Sequence, residues 1–220
     1  MNSNRTVMLQ HFHVSLALHE LRAGSGRPLL LLHALGGRTP DRAPEHVSGW
    51  PGPIFGLDFT GHGSSTVPVG GGYSAELLMA DADTALAHLG PSTVLGGGIG
   101  AYVALMIAGA RPQSVRGAIL DDGPGITGGP PGPTASMLIE TVASRRRTPD
   151  PWALIELARD PRPADYAISF VRQAVILSGL DSPVAVCAKW RPGWLQAVAE
   201  DPATLDVGLG DALDAYASIE

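Results

Sequence analysis

Short runs of β-type hydrophobics alternate with amphipathic stretches along the chain, and the apolar period switches between two and about 3.6. HFHVSLALHEL (11–21) alternates apolar and polar positions, the pattern of an antiparallel edge hairpin. After the turn residues Ala23 to Gly26, PLLLLHALGG opens with four consecutive leucines, as a strand buried on both faces of a parallel sheet requires. PIFGLD (53–58), STVL (92–95) and RGAILDD (116–122) read as further short strands. Ser74 caps a helix whose apolar face carries Leu78, Ala82, Leu86 and Leu89, and Gly90-Pro91 ends it. VLGGGIGAYVAL (94–105) reads as a buried strand, a glycine knot and a helix. This alternation predicts an α/β fold with a mostly parallel sheet flanked by helices.

Beyond Gly123 the texture changes. GPGITGGPPGPT is rich in breakers, and helices are expected near 135–146, 151–159 and 163–178. DSPVAVCAK returns to a buried strand, a helical stretch runs from Gly193 to Glu200, and 203–209 offers a last short strand before a terminal helix. The expected organisation is a sheet domain of residues 1–123 and 180–220 with residues 124–179 inserted as a helical lid.

Composition narrows the partners. The 220 residues are 45% hydrophobic but only 5% aromatic, so Leu, Val, Ile and Ala must fill one core. A net charge of −6, with 14 Arg and a single Lys, gives no electrostatic basis for binding nucleic acid. Arg145-Arg146-Arg147 reads as a solvated helix end. A lone cysteine, Cys187, excludes an internal disulfide and sits in an apolar run as a structural thiol. No stretch approaches roughly 18 apolar residues. MNSNRTVMLQ lacks the charged start and apolar core of a signal peptide. The expectation is a cytoplasmic protein without a membrane span, and a homodimer is a further candidate state.

Three stretches carry chemistry. LLLLHALGG (29–37), LDFTGHGSS (57–65) and VLGGGIGAYVAL resemble, in this order, three loops of the α/β-hydrolase fold. They match the His-Gly loop after its third strand, the Asp-x-x-Gly-His-Gly-x-Ser segment after its fourth, and the Gly-x-Ser-x-Gly nucleophile elbow. The resemblance covers residues 5–123 well and 180–220 loosely. In the elbow frame Gly96-Gly97-Gly98-Ile99-Gly100 the nucleophile position is Gly98, which has no side chain to form an acyl-enzyme. The family's general base is a histidine after the last strand, yet His11, His13, His19, His33, His46, His62 and His88 all precede the elbow.

The resemblance implies that the oxyanion hole survives, because it is made of main-chain amides. By position these are Leu35 and Ile99, and the ligand pocket would be bounded by Ala34, Leu35, Gly98 and Ile99. His33 reads as a brace of its loop or as a substitute acid or base. Asp122, at the end of a strand, is the other catalytic candidate. His62 and Asp58 read as turn architecture, and Ser64 and Ser65 as caps of the following segment. Asp211 lies loosely where the lost histidine would stand. His11 and His13 face the same way on a strand, but no third ligand is evident, so no metal is expected.

Gly96-x-Gly98-x-x-Ala101 also fits a dinucleotide fingerprint, with Asp121 following about 20 residues later as a ribose-binding acid. Against it, three or four strands precede the glycines, and HALGG and FTGHGSS stay unexplained. The expected function is thus a hydrolase-fold protein with a degenerate triad that binds a small carbonyl or carboxylate compound without a cofactor. The alternatives are altered chemistry (a triad-independent hydrolase, lyase or isomerase) and a dinucleotide-binding enzyme.

Overall fold

A computed structural model describes residues 5–128, 148–158 and 163–219. Its centre is an eight-stranded sheet with spatial order β1-β2-β4-β3-β5-β6-β7-β8. β1 (Arg5–His11) and β2 (Val14–Arg22) form an antiparallel hairpin, and β2 also runs antiparallel to β4 (Ile54–Leu57). All remaining pairs are parallel, through β3 (Leu29–Leu32), β5 (Ser92–Gly97), β6 (Val115–Asp121), β7 (Val184–Val186) and β8 (Thr204–Asp206).

The leucine run of β3 sits between β4 and β5, with Leu29, Leu30 and Leu32 buried, so alternate side chains feed both faces. One core holds Leu30, Leu32, Val94 and Leu120; the opposite one holds Leu29, Leu95 and Ile119. α1 (Ala75–Leu89) begins at Ser74, whose hydroxyl accepts the Leu77 N–H, and ends at Gly90. α2 (Ile99–Ala110) is buried over nearly its whole length. Each large apolar side chain so buried stabilises the fold by roughly 1.5–3 kcal/mol.

α2 lies between α1 and α4 (Ala164–Ser178), and α4 in turn packs on α5 (Gly193–Ala199). The approach of α2 and α4 is close enough that a Cβ on Gly109 would lie 2.7 Å from the Phe170 Cα. Residues 164–178 therefore belong to the layer flanking the sheet. The rest of the stretch expected as a lid is described only at 124–128 and 148–158, which includes α3 (Pro151–Glu156). The helix expected near 135–146 and the run Arg145–Arg147 lie outside the described residues. α6 (Leu209–Ala217) covers the opposite face and sets Tyr216 against β6 at Gly117.

Two local expectations are corrected. His13 is not on a strand with His11: it occupies the hairpin turn, next to Phe12 at φ 52°. Ser65 does not cap a helix. Its hydroxyl accepts the Ala17 N–H and donates to the Asp58 carbonyl, tying the β4 loop back to β2. Among the described residues no helix is long and apolar enough to cross a membrane.

Candidate functional site

The three motifs converge at the C-terminal edge of the sheet, following β3, β4 and β5 as the resemblance implied. Gly98 joins β5 to α2 with φ 55° and ψ −116°, a conformation that glycine adopts without a Cβ penalty. The Gly98 N–H donates to the Asp121 carbonyl on the neighbouring strand (3.2 Å).

The amides expected to form the oxyanion hole do come together. Leu35 N–H and Ile99 N–H both donate to one acceptor, the Pro124 carbonyl, at 3.0 and 3.2 Å. That acceptor belongs to the chain's own strap, Gly123-Pro124-Gly125. A Cβ on Gly98 would lie 2.2 Å from Pro124 O and 2.5 Å from Gly123 C, so no side chain fits beneath the strap. A void of about 10 Å³ lies beside Gly98, Trp190 and Trp194, space for at most about one water.

The strap is anchored downstream. Ile126 and Thr127 N–H donate to the Leu157 and Ala158 carbonyls, and the Trp194 indole donates to Ile126 O. Ile126 and Thr127 both adopt positive φ in a turn closed by Gly128 N–H to Gly125 O. Residues 148–158 are fastened in turn to the β4–α1 loop. Tyr73 donates its hydroxyl to Asp150 (2.6 Å), Glu156 accepts the Gly72 and Tyr73 amides, and Thr148 donates to the Gly63 carbonyl.

The candidate acid–base groups are engaged elsewhere. His33 Nε2 accepts the Phe59 N–H (3.1 Å), which leaves Nδ1 as the donor to Ala34 O (2.8 Å). Burial, reinforced by His62, pulls its pKa down to about 4, so the ring is neutral at physiological pH. His62 repeats the arrangement: Nδ1 pairs with Thr60 O and Nε2 accepts the Gly36 N–H at 3.4 Å, and burial lowers its pKa. The two rings lie 5.0 Å apart between the β3 and β4 loops.

Asp58 accepts from Thr39 N–H, Ser64 N–H and His19 Nε2 at 2.7, 2.7 and 3.0 Å. Burial pushes its carboxyl up, but the Ser64 and Thr39 amides with His19 outweigh that and hold it below the ordinary value. Asp122 accepts the Lys189 and Trp190 amides at 3.0 and 2.8 Å, which shapes the loop after β7. Asp211 sits in the first turn of α6. At the end of the last strand, Asp206 is clamped by both terminal nitrogens of Arg191. Cys187 is half-buried, and burial with nearby Asp121 pushes its thiol up to about 12, which leaves it unreactive as a nucleophile.

Asp121 does end the strand beside β5, in register with Gly97. The strap nevertheless covers the α2 N-terminus, where a dinucleotide pyrophosphate would have to sit. Among the described residues no group of three or more His, Cys, Asp or Glu could hold a metal. A second space does exist. A cavity of about 240 Å³ opens beside the elbow, lined by Leu31, Ala34, Pro40, His46, Leu95 and Asp121 among others.

Sheet order and the loops after β3, β4 and β5 define an α/β-hydrolase fold. No family model and no curated protein matches the chain. Among solved structures it is similar to a bacterial membrane phospholipase A described as a virulence factor, at 22% identity and TM-score 0.45, covering 56% of this chain and 40% of that one. It is also similar to the epoxide hydrolase VrEH1 of Vigna radiata, at 18% identity and TM-score 0.46, covering 56% and 39%. For E-2-(acetamidomethylene)succinate hydrolase the values are 21% and 0.44, covering 54% and 43%. The chain thus spans less than half the length of each of these three proteins.

The strap and its clasp escaped the sequence reading. The available signal was Gly123-Pro124-Gly125, a proline between two residues without side chains, directly after a buried strand.

Proposed function

We propose that the chain is a ligand-binding protein on an α/β-hydrolase scaffold that has lost its triad, and not a serine hydrolase. The observation that carries this reading is the meeting of the Leu35 and Ile99 amides on the Pro124 carbonyl above a side-chain-free Gly98. Acyl transfer needs a nucleophile and a base within hydrogen-bond reach. Gly98 supplies no atom, and both nearby histidines are neutral and committed to main-chain groups.

The amide pair is still arranged to hold a carbonyl oxygen, and it stands at the positive N-terminus of α2. The ligand is therefore a small carbonyl or carboxylate compound that exchanges with Pro124 O. Residues 124–128 and 148–158 act as the cover of this pocket. Entry requires that Gly123–Gly125 withdraw.

The test is titration of the 15N-labelled protein with butyrate, with hydrolysis of p-nitrophenyl acetate measured in parallel. Saturable shifts at the Leu35 and Ile99 amides and no turnover above buffer are expected. Turnover that vanishes in a folded Ile99→Pro variant would overturn the reading in favour of hydrolysis by water at this site.

A further inference from the structure

The connection from β3 to β4 carries Pro40, Pro44, Pro51 and Pro53, which cannot sustain a long helix. It forms only a three-residue turn, Glu45–Val47. Among the described residues, the sheet face away from α2 is therefore left open at the C-terminal ends of β3, β5 and β6, and the 240 Å³ cavity lies there. Open α/β sheets take ligands at such strand ends.

We propose that this cavity is a binding site for a small organic cation, a primary alkylammonium ion. Its charge meets Asp121, with Asp122, whose two oxygens already accept the Lys189 and Trp190 amides, as a further negative charge beside it, and its carbon chain lies along Leu31, Leu95, Pro40 and Pro44. The site borders the elbow through Gly96 and Gly97 but uses neither the Leu35 nor the Ile99 amide, so it does not depend on how that amide pair is read.

Charge and shape both favour this class. Among the described residues, the titratable groups in the lining are Asp121, Asp122, His33 and His46. His33 is spent on Ala34 O and Phe59 N–H, and His46 is exposed at the rim. Lys189 acts on Asp121 only from the exposed surface, outside the lining, and Arg191 is committed to Asp206. Burial, and to a smaller degree the Asp122 charge, push the Asp121 carboxyl up. A cation at Asp121 offsets the Asp122 charge and gives the buried carboxylate a counter-ion, whereas a carboxylate ligand adds a third negative charge. The volume falls below the roughly 300–1,000 Å³ of pockets for drug-sized compounds, so the ligand is smaller than these.

The experiment titrates the full 15N-labelled chain with butylammonium chloride and, separately, with sodium butyrate, two ions of matched length. Butylammonium is expected to give saturable shifts confined to amides around the cavity, at Gly96, Gly97 and His46, where butyrate gives none. Asp121→Asn, with its spectrum otherwise preserved, should weaken butylammonium binding about tenfold. Equal binding of butyrate at Gly96 and Gly97 would overturn the proposal. So would butylammonium shifts scattered over surface carboxylates, or no saturation at about 10 mM, well above a millimolar Kd. If Asp121→Asn does not fold, the paired ions on the unmodified chain decide alone. The elbow reading fails at Leu35 and Ile99 and this proposal at Gly96 and Gly97, so the two failures are distinguishable in one spectrum.

Discussion

A Cβ on Gly98 would lie 2.2 Å from the carbonyl oxygen of Pro124, so these two residues exclude any side chain between elbow and strap. The glycine that leaves this turn without a side chain is the same glycine that lets the strap seat itself on the Leu35 and Ile99 amides. The bare turn and the hold of these two amides on Pro124 are therefore one structural feature.

Gly98→Ser follows directly from this. The serine meets both the Pro124 overlap and a positive φ, and the expected loss is about 2–4 kcal/mol, read from urea unfolding. No esterase activity should appear. Activity in this variant would mean that the strap moves aside readily.

The Asp58 carboxylate holds three loops together through Thr39, Ser64 and His19. Asp58→Ala leaves the buried Thr39 amide and the partly buried Ser64 amide without their acceptor, and about 3 kcal/mol of stability should be lost. Asp58→Asn keeps one acceptor oxygen and should lose less. Equal urea midpoints for the two variants would contradict this account.

Tyr73→Phe tests the clasp on residues 148–158. It removes one hydrogen bond to the buried Asp150 carboxylate, at an expected cost of about 1–3 kcal/mol. Faster amide exchange at Ile126 and Thr127 should accompany it, because the strap is tied to Leu157 and Ala158. Unchanged exchange there would separate the strap from the clasp.

Acid titration should show two opposed contributions. His33, lowered from 6.5 to about 4, supplies stability that is present above pH 6.5 and lost as pH falls through about 4. His62 acts in the same direction. Asp81 is fully buried, and that burial raises its carboxyl from 3.8 to about 6 despite hydrogen bonds from Thr60 and nearby His11. Its contribution has the opposite sign: it is present below pH 3.8 and lost as pH rises through about 6. An Asp81→Asn variant should therefore lose stability more steeply between pH 6.5 and 4 than the unmodified protein. Parallel curves of urea midpoint against pH would show that Asp81 does not titrate in this range.

Much of the fold was legible because it is written in local periodicity. Four leucines in β3, the Ser74 cap and the Gly90 stop of α1 each depend on near neighbours in sequence. α4 was legible as a helix but not as part of the sheet's flank, since its seat on α2 depends on Gly109 meeting Phe170, 61 residues away. His33, Leu35, Gly98 and Ile99 follow β3 and β5 at the C-terminal edge of the sheet, in the order of their motifs. Their partners were not legible, because Phe59, Gly36 and Pro124 reach them only after the sheet has brought three loops together.

By itself the sequence determined a mostly parallel sheet with flanking helices, a strand–helix turn with glycine at position 98 and no histidine after residue 88. These are matters of residue type, period and order, and no packing can alter them. Only the tertiary structure decided that the oxyanion amides hold Pro124, that His33 and His62 are neutral braces, and that a cavity opens beside Asp121. The physical reason is that a main-chain carbonyl carries no mark in the sequence. Which amide it meets, and how much water is driven from a neighbouring carboxyl or imidazole, is settled when distant segments are pressed against one another.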